Sequence, residues 1–198
     1  MILLMRHGET RSNAARVVQT PDTPLSPRGA RQAEQLAARL SALSVSRILS
    51  SDLARALETA ERVRAATGAE LVIDPLLQER NFGDVRGTPY AELGVDLFAP
   101  DFAPPGGESW EDFHRRVDAA WAWVRAMAAA TPGNLAVVTH GLVCYSLALR
   151  HLELPGGAQA DLRVPNTALA LIDSSPPFRV AVWGCTAHLE EVVSASPA

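Results

Sequence analysis

The sequence predicts an α/β fold: a three-layer sandwich with a mostly parallel central sheet, one antiparallel strand and a loop-rich lid over the C-terminal edge of the strands. The main observation is that short apolar runs alternate with segments of helical periodicity, as in proteins whose helices cover both faces of a parallel sheet. A second observation is that the last two apolar runs have no helix between them, which predicts antiparallel pairing. Because 198 residues with 47% hydrophobic content suffice for one core, we expect residues 1–198 to form a single domain.

Six short apolar runs predict the strands of the sheet. They lie at residues 2–5, 45–50, 71–73, 135–138, 168–172 and 178–183. Helices are predicted between them from apolar residues at helical spacing. Ser26 is expected to cap the first helix and Ser51 or Asp52 the second, because these side chains accept hydrogen bonds from free N–H groups. Ser109 is expected to cap the third helix, and the fourth is predicted over Leu142–Leu152.

Between the second and third helices, the segment from residue 77 to residue 108 is rich in glycine and proline and has only weak periodicity. Such a segment is typical of loops and short helical pieces, and we expect it to lie over one end of the sheet as a lid. On the helix that follows, the adjacent polar residues His114, Arg115 and Arg116 are expected to face solvent.

The composition excludes several classes of function. A net charge of −4 provides no basic surface for nucleic acid or for an anionic membrane. The longest apolar runs are far shorter than the ~20 residues of a membrane span, and the first residues lack the basic and apolar regions of a signal peptide. We therefore expect a cytoplasmic protein with neither a nucleic-acid nor a membrane partner; the oligomeric state cannot be derived from the sequence.

The numbers and positions of cysteine and lysine exclude further classes of reaction mechanism. Cys144 and Cys185 do not have the spacing of metal ligands, and we expect both to be buried free thiols in a reducing compartment. The chain contains no lysine, so all 18 basic residues are arginine. Mechanisms that need a P-loop or Schiff-base lysine are therefore excluded, and arginine, which suits bidentate contact with phosphate oxygens, must provide the positive charge for any bound anion.

Three segments share one arrangement, in which a predicted strand is followed by polar residues and then by the approach to a helix. They carry Arg6 with His7, Arg55, and His140 with Gly141. The C-terminal ends of parallel strands meet at one edge of the sheet, where helix N-termini favour anions. We therefore expect Arg6, His7, Arg55 and His140 to meet in one crevice, where a doubly charged phosphoryl group would balance their charge.

Motifs follow one another along nearly the whole chain. They are LMRHGET at 4–10 with Asn13, DTPLS at 22–26, LSSDL at 49–53 with Arg55, Glu79 with FG at 82–83, PGGES at 105–109, VTHG at 138–141 and PNT at 165–167. This series resembles the histidine phosphatase superfamily, which includes the cofactor-dependent phosphoglycerate mutases and many small phosphatases. His188 also matches a position of that family, without a role that the sequence reveals.

The resemblance implies a role for each residue of the predicted site. His7 would be the nucleophile that forms a phosphohistidine, and Glu79 would protonate the leaving oxygen and then deprotonate the attacking water. With arginines supplying the positive charge, neither a metal nor another cofactor is required. The phosphoryl oxygens would be bound by Arg6, Asn13, Arg55, His140 and the Gly141 N–H. Candidates for contact with the leaving group, each of which is alternatively structural, are Gln19, Thr20, Arg80, Arg86 and Trp110.

The departures from the mutase pattern favour hydrolysis. Mutases of this family carry a Gly-Trp pair before the loop aspartate, whereas this chain has Gln-Thr-Pro before Asp22. They also carry a long lid insert with paired arginines, whereas residues 87–106 contain no arginine. We therefore expect a metal-independent phosphatase for a small phosphorylated metabolite. Mutase-type phosphoryl transfer, which the Glu79-Arg80 pair favours, and a non-catalytic phosphate-binding module, which the presence of His7 and Glu79 disfavours, remain the alternatives.

Overall fold

A mixed six-stranded sheet forms the centre of the computed structural model, which describes residues 1–156 and 161–190. Its strands are β1 (Ile2–Arg6), β2 (Val45–Ser50), β3 (Glu70–Ile73), β4 (Asn134–Thr139), β5 (Leu169–Ile172) and β6 (Val180–Cys185). The spatial order is β3-β2-β4-β1-β5-β6. The first four of these run parallel, β5 is antiparallel to β1, and β6 is antiparallel to β5. The predicted α/β class, with a mostly parallel sheet and one antiparallel strand, is confirmed.

Helices cover both faces of this sheet. They are α1 (Arg11–Ala15), α2 (Pro27–Ser41), α3 (Ala54–Thr67), α4 (Trp110–Ala130) and α5 (Gly141–Arg150). Because side chains alternate along a strand, Leu3 and Met5 of β1 pack with α2 and α3. Ile2 and Leu4 pack on the opposite face with α4 and α5. The layers are therefore helix, sheet and helix.

Two of the predicted helix caps are confirmed, and one is wrong. Ser26 accepts a hydrogen bond from the Gly29 N–H at the start of α2, and Ser109 caps α4 in the same way. At α3 the capping position is Leu53, which has no side-chain cap bond, rather than Ser51 or Asp52. The Ser51 hydroxyl accepts the Leu53 N–H at 3.2 Å and also contacts His140, so it is part of the site rather than a cap.

The register of the sheet brings three strand ends together. Arg6 at the end of β1 pairs with Thr139 at the end of β4, and Ser50 of β2 pairs with Val138 of the same strand. The residues that directly follow these strands therefore emerge side by side. Behind them the backbone is tightly packed, since a Cβ on Gly8 would lie 2.5 Å from the Gly29 carbonyl oxygen at the start of α2.

The lid is built from short turns with a small core of its own. Short 3-10 turns at Pro75–Leu77, Gly83–Val85 and Tyr90–Glu92 follow one another, and Phe82 packs with Val18 and Leu97. In the described part of the chain, none of the helices combines the length and apolarity that would let it cross a bilayer.

Candidate active site

His7 follows β1 and is almost completely buried, with 1% of its surface exposed. Its Nδ1 lies 2.7 Å from the Gly8 carbonyl oxygen, and because a carbonyl only accepts, Nδ1 carries the proton. Nε2 is then the unprotonated nitrogen, and it accepts a hydrogen bond from Arg55 Nε at 3.3 Å. Burial, followed by the charges of Arg55 and Arg6, lowers the pKa of His7 well below its usual value. The imidazole is therefore neutral near pH 7, with its lone pair on Nε2.

The two predicted phosphate-binding arginines lie against this histidine. Arg55, in the first turn of α3, is 2% exposed and donates from Nη1 to the Thr20 carbonyl oxygen at 3.2 Å. Burial lowers its pKa to about 10, so the guanidinium remains charged at neutral pH. Arg6 donates from Nη1 to the Val164 carbonyl oxygen at 2.8 Å. The buried Nε of Arg6 has no partner among the described residues.

His140 occupies the capping position of α5 and faces His7, with ring centroids 5.1 Å apart. Its Nε2 lies 2.9 Å from the Ser51 hydroxyl, while its buried Nδ1 has no partner in the described part of the chain. Burial first, then the charges of Arg55 and His7, lower its pKa well below the usual value. Gly141 begins α5, so its N–H has no acceptor within the helix.

The short helix α1 was not predicted, and it fixes Asn13. The Asn13 Oδ1 accepts the Thr10 N–H at 3.1 Å, and the Thr10 hydroxyl accepts the Asn13 N–H in return. Because Oδ1 is occupied in this way, the amide N–H groups of Asn13 are the donors left for a ligand. Gln19 accepts a hydrogen bond from the Thr10 hydroxyl and, like Thr20, lines the same cavity as Asn13.

Glu79 lies in the lid beside the start of α5. One carboxylate oxygen accepts the Arg80 N–H at 3.1 Å and the other accepts the Leu142 N–H at 3.2 Å. Although both hydrogen bonds favour the ionised form, burial raises the pKa of Glu79 above its usual value. The carboxyl group therefore keeps its proton to a higher pH than an exposed glutamate does.

Arg116 does not face solvent, contrary to the prediction for that stretch of α4. Its guanidinium donates to the carbonyl oxygens of Leu76, Gln78 and Glu79 at 2.9, 2.8 and 3.2 Å. It also forms a bidentate pair with the Glu108 carboxylate at 2.7 and 2.8 Å. Arg116 thus holds the backbone that carries Glu79 against α4.

A cavity of about 1240 Å³ opens in front of these groups. Arg6, Asn13, Arg55, Glu79 and Gly141 line one end of it, which we call the phosphoryl end. His7 and His140 lie directly behind that end and are shielded from solvent by the arginines. The structure thus brings together all the residues that the sequence assigned to nucleophile, acid and phosphate contacts.

The predicted leaving-group contacts differ in their surroundings. Arg80, Arg86 and Trp110 line the cavity. The Arg80 guanidinium, however, donates to the carbonyl oxygens of the lid residues Leu97 and Glu108, both at 3.1 Å, and lies 4.2 Å over the Trp110 ring. Arg86 has no carboxylate within 4.0 Å among residues 1–156 and 161–190, so its guanidinium remains available to a ligand.

Two residues that line or support the cavity were missed by sequence reasoning. His114 lies on the wall rather than in solvent, with its ring stacked on Trp110 at 5.5 Å and Nδ1 2.7 Å from the Ser146 hydroxyl. His188 has its Nε2 3.2 Å from the Thr167 hydroxyl, and the Thr167 N–H donates to the Arg6 carbonyl oxygen. A motif match was the only sign of His188, and nothing in the sequence indicated His114.

The described residues contain no group of three or more histidine, cysteine, aspartate or glutamate side chains arranged as metal ligands. Both cysteines are free thiols, and Cys144 is buried as predicted. Cys185 is only half-buried, contrary to the prediction, because it lies at the end of the outer strand β6, where Arg39 donates to its sulfur at 3.2 Å.

Comparison with known proteins places these features in a family. The family model described as "Histidine phosphatase superfamily (branch 1)" matches residues 2–184. A probable phosphoglycerate mutase GpmB of Proteus mirabilis is 31% identical over 207 residues, covering 96% of this chain and 95% of that protein.

Two solved structures illustrate the range of relatives. A mycobacterial glucosyl-3-phosphoglycerate phosphatase has a TM-score of 0.78 at 28% identity, covering 92% of this chain and 97% of that one. A phosphoglycerate mutase from Bacillus anthracis also has a TM-score of 0.78, at 26% identity, covering 94% and 93% of the two chains. The relatives thus include both phosphatases and mutases.

Proposed function

The chain belongs to the histidine phosphatase superfamily, and on that premise we propose that it is a metal-independent phosphatase that hydrolyses a small phosphorylated metabolite through a phosphohistidine. The observation that carries the proposal is the hydrogen bonding of His7. Its Nδ1 proton is held by the Gly8 carbonyl oxygen, so the lone pair is on Nε2. There it accepts a hydrogen bond from Arg55, which lines the phosphoryl end of the cavity. A neutral imidazole with Nε2 unprotonated is the form in which histidine attacks phosphorus, once Arg55 gives its hydrogen bond to the substrate instead.

In the proposed first step, His7 Nε2 attacks phosphorus while the bond to the alcohol oxygen breaks. Arg55 Nε, which now donates to Nε2, transfers its hydrogen bond to a phosphoryl oxygen. The unpartnered Arg6 Nε, the Asn13 amide and the Gly141 N–H supply further donors, which stabilise the charge spread over the phosphoryl oxygens.

His140 completes the phosphoryl end through its unpartnered Nδ1. In the unliganded site burial and then the neighbouring arginines lower the pKa of His140, whereas a bound dianion opposes the effect of the arginines and raises that pKa. Substrate binding therefore favours the protonated imidazole, which donates from Nδ1 to a phosphoryl oxygen. His7 attacks as a neutral imidazole, and because Nδ1 keeps its proton, the new Nε2–P bond leaves a positive charge on the ring, which the Gly8 carbonyl oxygen stabilises.

Glu79 transfers the protons. Its raised pKa keeps a proton available for the leaving oxygen, so the alcohol departs neutral and a carboxylate remains. The carboxylate then takes a proton from water, whose oxygen attacks the phosphorus of the phosphohistidine. Inorganic phosphate leaves, and both His7 and Glu79 return to their starting states.

Mutase-type phosphoryl transfer is the second candidate, and the relatives named as phosphoglycerate mutases favour it. Two features of this chain support hydrolysis instead. The lid contains no arginine between residues 87 and 106 that would hold the carboxylate of a returning phosphoglycerate. Arg80 is committed to carbonyl oxygens of the lid, so Arg86 is the single lid arginine left for such a carboxylate and no pair of arginines is available.

We predict that His7→Ala lowers the turnover of 4-nitrophenyl phosphate by at least about 10³-fold, because no other group is placed to form the covalent intermediate. The assay contains a chelator, and rapid quenching of the wild type should yield acid-labile phosphate on His7. His151→Ala, which changes a half-buried histidine that pairs with Asp118 and does not line the cavity, is the control that retains activity.

Three results would contradict the proposal in different ways. Labelled phosphate on a residue other than His7 would exclude the proposed nucleophile. Interconversion of phosphoglycerates stimulated by a bisphosphate primer, with little release of phosphate, would favour the mutase. Phosphate binding without any turnover would favour the non-catalytic module.

A further inference from the structure

The cavity is larger than a phosphoryl group requires, and its far end is apolar. Its volume of about 1240 Å³ exceeds the ~300–1,000 Å³ of typical small-molecule sites. Beyond the phosphoryl end the wall carries large apolar and aromatic side chains from the lid, from α5 and from the segment before β5, together with the ion pair of Asp161 and Arg163. We call this part the apolar end, and the residues that define it are Phe98, Leu142, Tyr145, Leu149 and Leu162.

Several of these side chains are unusually exposed for their type. Phe98 is 53% exposed, Leu149 58% and Tyr145 36%. They come from separate elements, yet they line one cavity. Clustered exposed apolar groups of this kind mark binding surfaces, because their contact with water is unfavourable until a ligand covers them.

The cationic groups of the outer cavity do not form a second anion site. Arg163 is engaged by Asp161 with contacts of 2.7 and 3.0 Å, and Arg80 is engaged by lid carbonyl oxygens. His114 is stacked on Trp110, and burial lowers its pKa, so it is neutral near pH 7. Arg86 lines the same cavity as Arg55, and after burial its charge is one of those that lower the pKa of Arg55.

We propose that the apolar end binds the alcohol part of the substrate, and that the substrates are phosphomonoesters of large apolar alcohols, aromatic ones in particular. This inference rests on the proposed phosphatase activity and specifies its substrate class. An aromatic alcohol covers Phe98 and Tyr145, whereas a second phosphate or a carboxylate would be desolvated there without a partner. Sugar phosphates and phosphoglycerates are accordingly the poorer substrates.

The test compares esters whose alcohols have similar acidity, so that the chemistry of the leaving group does not differ. We expect kcat/KM for 2-(2-naphthyl)ethyl phosphate to exceed that for ethyl phosphate and for glycerol 3-phosphate by at least about tenfold. Equal or higher kcat/KM for glycerol 3-phosphate or 3-phosphoglycerate would overturn the proposal. If the wild type fails to hydrolyse even 4-nitrophenyl phosphate, the proposed phosphatase activity itself fails.

Substitutions in the cavity wall test whether the apolar end is the source of the preference for aromatic esters. Phe98→Ala and Leu149→Ala should each lower the ratio of kcat/KM between the naphthylethyl and ethyl esters by about tenfold, mainly through KM. The matched controls are Val95→Ala in the lid and Trp123→Ala on α4, which remove side chains that are 50% and 40% exposed but lie outside the cavity wall. If this ratio is unchanged in both cavity variants, or changes equally in the controls, the apolar end does not determine the preference for aromatic esters and the proposal is wrong.

Discussion

Burial shifts the ionisation of His7 and Glu79, the two residues that are proposed to react, in opposite directions, and both shifts serve the proposed chemistry. The pKa of His7 is lowered, so the imidazole stays neutral at more acidic pH. The pKa of Glu79 is raised, so the carboxyl stays protonated at less acidic pH. A nucleophile must be deprotonated and a general acid protonated, and burial therefore widens the pH range in which both conditions hold.

We predict that Glu79→Gln lowers kcat/KM for an alkyl phosphate by about 10²–10⁴-fold and affects 4-nitrophenyl phosphate much less, because only the poor leaving group needs a proton. In the wild type, kcat/KM for the alkyl ester should fall as the pH rises through the raised pKa of Glu79. The 4-nitrophenyl ester, whose leaving group needs no proton, should lack that decline. Equal losses on the two esters would exclude Glu79 as the acid. Glu111→Gln, at an exposed glutamate on α4, is the matched control.

The sequence was most informative where function depends on backbone position. Arg6 ends a parallel strand, His7 and His140 directly follow such strands, and the topology of the sheet alone brings them together. The neighbouring residues His114 and Arg116 were assigned wrongly because a helix separates consecutive residues by about 100°. Arg115 faces solvent, while the residues on either side of it flank the buried stripe and reach the cavity and the lid.

At the scale of elements, α4 acts as the support of the acid-bearing lid. We predict that Arg116→Met lowers the free energy of unfolding by about 3 kcal/mol, because it leaves the Glu108 carboxylate half-buried without its partner. The loss of the Arg116 guanidinium should also reduce kcat for alkyl esters more than for 4-nitrophenyl phosphate, since the backbone of Glu79 is no longer held.

Arg115→Met is the matched control, because Arg115 is adjacent in sequence but forms only solvent-exposed ion pairs, which water screens and which contribute little to stability. Urea unfolding measures stability, and the alkyl-to-aryl ratio of kcat measures the positioning of Glu79. Arg116→Lys should restore part of the stability but little of that ratio, since lysine cannot form the bidentate contact. A lower stability with an unchanged ratio would reduce Arg116 to a purely structural role.

Two elements show why sequence patterns were insufficient. The helix α1 has five residues, none of them buried, so it has no apolar periodicity to detect. Its only signal is the reciprocal capping of Thr10 and Asn13. At α3 the helix begins at Ala54, later than expected, and the Ser51 hydroxyl instead contacts His140, a partner 89 positions away that no local pattern reveals.

The whole molecule is acidic, yet it concentrates arginine around one buried point. The net charge is −4, while Arg6 and Arg55 lie beside two buried histidines. Unpartnered buried nitrogens and uncompensated charge destabilise the unliganded fold, and an oxyanion relieves both. Anion binding and overall stability are therefore coupled.

We predict that inorganic phosphate at 100 times its Kd stabilises the protein by about 2.7 kcal/mol, which raises Tm by roughly 5–10 °C for a chain of this size. In Arg55→Met this shift should nearly vanish, because the central donor to the anion is lost. Arg64→Met, on the same helix but in an exposed pair with Glu61, should retain the full shift. Scanning calorimetry over a phosphate titration measures both. A shift of equal size in Arg55→Met and the wild type would place the stabilising anion elsewhere and separate it from the phosphoryl end.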